Sequence, residues 1–164
     1  MGKIELILET DKMNIYSPLH DGNKYSEFEI FMEKFEDCTI PLIKADFDAI
    51  ISLINKMTND CGARENLFRP EKGNVKAIPL CIRQYKKKEI GTIRLYCIRI
   101  SDKILIIGNG KIKKVAKYQE DKELAEFVED LQAIERKIYL ESKKKGISYN
   151  DFSNIKEIIE QISI

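Results

Sequence analysis

A 164-residue chain that is 43% hydrophobic and 34% charged, with few Gly and Pro, has the composition of one folded domain. No apolar run reaches the ~18 residues of a membrane-spanning helix, which excludes that class. The net charge of +1 conceals a strong asymmetry: residues 81–118 carry eleven bases and two acids, residues 1–60 six bases and twelve acids, and residues 119–164 seven bases and eleven acids. A near-neutral chain that gathers its bases in one segment has a candidate polyanion surface there.

The opening MGKIELILETDK lacks the apolar run of a secretory signal. Lys3, and the absence of Ser or Thr at position 6, argue against myristoylation. Residues 3–9 alternate as a strand, and a second short strand is predicted over 13–17, before a turn at 20–23. Ser26 stands three residues before Glu29, a capping-box spacing. Phe28, Phe31, Met32 and Phe35 follow at helical spacing, although Phe28, Ile30 and Met32 would also suit a strand. The stripe Phe47, Ile50, Ile51, Ile54 and Met57 predicts a helix over 46–57, with Asp46 and Asp48 at its positive end.

Residues 59–73 read as a connector ending near Arg69-Pro70 and Gly73. Strands are then predicted over 75–85, 91–100, 103–107 and 111–118, separated by the polar turns KKKE, SD and GNG. Connections that short force antiparallel neighbours. A long helix over 121–145 presents Leu124, Phe127, Val128, Leu131, Ile134 and Ile138 on one side and closes at Gly146. After ISYND, a last helix over 154–163 is expected, with Asn154 and Glu157 at capping-box spacing and Ile155, Ile158, Ile159 and Ile162 on one side.

This order predicts a single α+β domain over 1–164. Its parts are an acidic portion over 1–60, a basic sheet with the long helix over 75–145, and a helical appendage over 147–164. Cys38, Cys61, Cys81 and Cys97 lie too far apart for zinc-type pairing, and Cys81 and Cys97 sit in apolar strand patterns. They read as buried reduced thiols, and a cytoplasmic protein is expected.

His20 is the only histidine and lies in a turn, so no His–His pair or metal cluster is expected. No Gly-rich loop joins a strand to a helix, and GNG reads as a hairpin turn. No cofactor is called for. What remains is Arg, Lys and Tyr. Such a set suits cleavage of RNA by its own 2′-OH, because cations aimed at the phosphorane stabilise its charge and a Tyr or a Lys with depressed pKa can move the proton. Strand parity places Arg94 with Tyr96 on one side, opposite Ile93, Leu95 and Cys97. It also groups Lys111, Lys113 and Lys117 on one side, and Lys114 with Tyr118 on the other. A solvated outer face would show the same residues, so both readings stay open.

The run IRLYCIRISDKILIIGNGKIKKVAKYQEDKELAEFVEDLQAI resembles the C-terminal half of RelE/ParE-superfamily toxins, nearest the HigB-like branch. Arg94 and Tyr96 match the Arg-bearing central strand, Ile104 to Gly108 the apolar strand after it, and Lys113-Lys114 the paired lysines before the last helix. The resemblance implies an antiparallel three- to four-stranded curved sheet with two N-terminal helices and a long C-terminal helix, extended here by an N-terminal strand. It implies a metal-independent endoribonuclease that cleaves mRNA at the ribosome. Arg94, Lys114 and Tyr118 would be catalytic, and Arg83, Tyr96, Arg99, Lys111, Lys113 and Lys117 would contact nucleic acid. The partners implied are mRNA, the ribosome and a cognate antitoxin, often a helix-turn-helix protein, with no membrane. Two alternatives remain: a non-catalytic relative that inhibits a protein target such as gyrase, and an interaction module of a phage or mobile element.

Overall fold

The computed structural model describes residues 1–79 and 91–164. Within them lie six strands: β1 (Lys3–Glu9), β2 (Asn14–Leu19), β3 (Arg69–Lys72), β4 (Val75–Ile78), β5 (Thr92–Ser101) and β6 (Ile104–Lys113). Four α-helices accompany them: α1 (Glu27–Phe35), α2 (Pro41–Lys56), α3 (Lys122–Lys145) and α4 (Phe152–Gln161). The expected turn KKKE, the far end of the strand begun at Val75, Cys81 and Arg83 lie outside the described residues.

The α+β class holds, but the sheet is larger than expected and mixed. One six-stranded sheet runs in the order β1-β2-β6-β5-β4-β3. Its pairs are antiparallel except β2 with β6, which run parallel with Asn14 opposite Ile104 and Tyr16 opposite Ile106. The amino-terminal hairpin therefore joins the sheet through a long crossover that contains α1 and α2, a pairing that no short-range pattern announces.

The expected hairpin at Gly108-Asn109-Gly110 does not exist. These residues lie inside β6, which is one continuous ten-residue strand. Their glycines serve close approach rather than a turn: a Cβ on Gly110 would collide with the Arg94 carbonyl oxygen, and one on Gly108 would press within 3.0 Å of Leu131.

Helices cover both faces of the sheet. On one, α1 and α2 enclose Ile15, Ile93, Leu95, Cys97, Leu105 and Ile107 with Phe31, Phe35 and Phe47. On the other, α3 and α4 enclose Tyr16, Tyr96, Ile98, Ile104 and Ile106 with Leu131, Ile134 and Ile138. The parity read from the sequence for β5 is the observed one. Both faces being buried, β6 is apolar on both sides at its start.

Local chemistry sets the helix ends. The Ser26–Glu29 capping box starts α1. Pro41 at the first turn starts α2, so the helix begins before Asp46, and Asp46 and Asp48 lie in its body instead of at its positive end. Asp48 accepts instead from Lys44 at 2.9 Å. The Asp121 side chain accepts from the Glu123 and Leu124 N–H groups to start α3, and Gly146 ends it at φ 66°. Asn154 is not a cap: α4 begins two residues earlier, at Phe152, and the Asn154 amide donates to Asp151 at 2.8 Å.

β2 stops pairing at Ile106, and side chains finish that edge of β6. The Ser17 hydroxyl donates to the Ile107 carbonyl at 2.7 Å, and the Lys34 ammonium to the Gly110 carbonyl at 3.0 Å. Cys97 is a buried free thiol, while Cys38 and Cys61 are free and only half-buried. Among the described residues, no helix is long and apolar enough to cross a membrane.

Candidate functional site

Directly opposed residues of an antiparallel pair share a face. Arg94 lies opposite Lys111, and Thr92 opposite Lys113. Tyr96 lies opposite Ala77, which in turn faces Arg69. Arg94, Tyr96, Lys111 and Lys113 therefore sit on the side of the sheet that α3 covers. Tyr118, in a 3-10 turn just before α3, packs into the same core. Five of the expected site residues converge beneath the amino-terminal end of α3.

Four of them, Arg94, Tyr96, Lys113 and Tyr118, are buried inside the protein, and Lys111 is half-buried at its edge. Arg94 is 1% exposed and Tyr96 0%. One Arg94 guanidinium nitrogen donates to the Pro79 carbonyl at 3.3 Å. Its Nε, the Tyr96 hydroxyl and one Glu71 carboxylate oxygen are buried without a hydrogen-bond partner. Arg69 stands 3.8 Å from that Glu71 oxygen. Burial, then Arg69, pull the Arg94 guanidinium below its ordinary value. Burial, then Glu71, push the Tyr96 phenol up. A phenol held protonated is a donor and no base.

Lys111 is committed to the start of α3, with Nζ 3.1 Å from Asp121 and 3.4 Å from Glu123. Burial alone would lower its ammonium, but these two acids outweigh it and raise it. Lys113 is buried as well.

The other expected residues stand apart. Lys114 follows the end of β6 and is exposed. A Cβ built on Gly91 would meet both Ile112 and Lys114, which puts Lys114 on the side of Ile112, toward the α1/α2 core and away from Arg94. Lys117 is exposed beyond the strand. Arg99 lies opposite Leu105 on the α1/α2 face. Its Nε donates to the Ala63 carbonyl at 2.7 Å, and its other end pairs with Asp102, so it clamps a loop. Arg83 lies outside the described residues.

Sequence reasoning missed a polar seam beside this cluster. His20 occupies its turn, as expected, but is not an idle surface residue: its Nε2 lies 2.7 Å from Asp130 of α3 and 3.6 Å from Glu27 of α1. The Asn109 amide donates to Glu27 at 2.7 Å and its oxygen accepts from Lys34 at 2.9 Å. Burial pulls the Lys34 ammonium down. These residues are scattered over more than a hundred positions, so no local motif marks them. Among the described residues, no group of three His, Cys, Asp or Glu side chains is placed to hold a metal.

No family model matches the chain, nor does any curated protein or solved structure.

Proposed function

We propose that the protein is a toxin-like relative of the RelE/ParE type that acts by holding a macromolecular partner, a protein target such as gyrase among them, rather than by cutting RNA. The observation that carries the choice is the 1% exposure of Arg94 between the sheet and α3. A guanidinium so enclosed offers no surface to a scissile phosphate. The family part of the reading draws on element order. After the β1–β2 hairpin come two helices, then β3 and the antiparallel run β4–β5–β6, then a long helix.

A second reading, the metal-independent mRNA endoribonuclease, is favoured by a different observation. Arg94, Tyr96, Lys111, Lys113 and Tyr118 share one face, and two of their polar groups lack a partner. In that reading an antitoxin, encoded beside the gene and carrying a helix-turn-helix domain, would restrain the activity.

Induced expression with RNA mapping separates the two. Growth arrest with intact mRNA, relieved by co-expressing the neighbouring gene product, supports the binding reading. Cuts in ribosome-bound mRNA that disappear in Arg94→Ala overturn it in favour of the nuclease. Absence of arrest overturns both and leaves an interaction module.

A further inference from the structure

Among the described bases of the 81–118 segment, Arg94 and Lys113 are buried and Arg99 and Lys111 are held in ion pairs, whereas Lys103, Lys114 and Lys117 are exposed; further outward positive charge lies outside that segment. It gathers where the carboxyl-terminal half of α3 passes the turn between β3 and β4. Two open clefts adjoin there, of about 460 and 510 Å³, and Asn74 lines both. Each lies within the roughly 300–1,000 Å³ of small-ligand clefts.

Tyrosines furnish two walls of the first cleft. Tyr149 is held in place: its hydroxyl donates to Glu135 at 3.2 Å, and the Asn74 amide donates to the same oxygen at 2.6 Å. Tyr139 is presented to solvent, 44% exposed, with the Lys143 ammonium 5.7 Å from its ring centroid. Lys143 lines this cleft too, and Lys144 and Lys145 follow it in the last turn of α3. Lys72 and Arg136 line the second cleft. The local acids are engaged, Glu135 by Asn74 and Tyr149, and Glu141 by Lys145 at 3.4 Å.

Lysines in a last helical turn oppose the helix dipole, and that accounts for their presence in the sequence. It does not account for an exposed tyrosine ring facing a cleft beneath a lysine. A flat aromatic platform flanked by ammonium groups is the arrangement that stacks a base and tracks its phosphates.

The geometry points to a single-stranded nucleic-acid site in which one base enters the cleft between Tyr139 and Tyr149, while Lys143, Lys144, Lys72 and Arg136 meet the flanking phosphates. The site shares no residue with the Arg94 face. It therefore stands whether the toxin reading holds or fails.

The test is fluorescence anisotropy of the full chain with labelled twelve-nucleotide oligo-uridine, oligo-deoxyuridine and a duplex of equal length. Either single strand should bind more tightly than the duplex, and the tighter of the two names the sugar. Tyr139→Ala should weaken binding about tenfold, whereas Tyr139→Phe keeps the stack and the affinity. Lys143→Glu with Lys144→Glu should weaken it further and flatten its salt dependence. All three side chains are exposed, so these variants should retain the parent's circular dichroism. Equal affinity for duplex and single strand, or an unchanged Tyr139→Ala, would overturn the site.

Discussion

The two faces of the sheet are built to different standards. Beneath α1 and α2 the filling is apolar, with Phe31, Phe35 and Phe47 stacked over Ile93, Leu95 and Cys97. Beneath α3 the aliphatic packing of Ile98, Ile104 and Leu131 gives way, toward the start of that helix, to Arg94, Tyr96, Glu71 and Tyr118. The same ten residues of β5 supply both faces. The side under α1 and α2 contributes mainly transfer free energy, its Arg99 being hydrogen-bonded to Ala63, while the other also carries buried polar atoms without partners, whose burial costs stability. Buried polar atoms without partners are a local penalty, and such penalties concentrate at functional sites.

The sharpest way to break this contrast is Phe31→Ala. Phe31 is fully buried against Phe35, with ring centroids 5.2 Å apart, and Phe47 at 6.0 Å. Its truncation should cost about 3–5 kcal/mol in urea unfolding. A loss below ~1 kcal/mol would mean the aromatic cluster is not the stronger half.

Alkaline pH should come next, and it acts on the other face. Tyr16, Tyr96 and Tyr118 all belong to the α3/α4 core, and burial pushes each phenol above the ordinary value of 10.0. The folded state keeps protons that the unfolded chain releases past that value. The contribution is therefore complete below pH 10 and is lost as pH rises above it. Urea midpoints should fall steeply there, with tyrosinate absorbance from these rings appearing only as the protein unfolds. Tyrosinate that appears without unfolding would refute the burial.

The smallest effect has the opposite sign. Tyr96→Phe removes a buried hydroxyl that has no partner and should raise stability by about 1 kcal/mol. A loss of that size instead would reveal a partner for the hydroxyl and remove the asymmetry.

Much of the fold was legible because it is written in short-range periodicity. Ser26 with Glu29, the α3 stripe closed by Gly146, and the alternation through Arg94 and Tyr96 each state a local geometry, and each is observed. Misreadings arose where local chemistry admits two causes. Gly108 and Gly110 look like a turn, yet they are small because Leu131 and the Arg94 backbone press against them. Pro41 is what starts α2, and the acids that seemed to mark its end do not. For the candidate site, parity could place Arg94 and Tyr96 together but could not say what lies above them. The α3 stripe covers that face, and a strand's own sequence carries no trace of its cover. The tyrosines and lysines beside the β3–β4 turn escaped notice because Asn74 and Tyr149 meet only through Glu135.

The parallel contact between β2 and β6 bears on how the chain is made. Ser17 finds its acceptor, Ile107, about ninety residues downstream. During synthesis the first hairpin emerges long before the strand that completes it, and contacts between such distant positions form slowly. Until β6 appears, one flank of the nascent hairpin stays bare, and its exposed main-chain groups invite association with other newly made chains. Low temperature or chaperone supply during expression should therefore govern yield more than any property of the finished molecule.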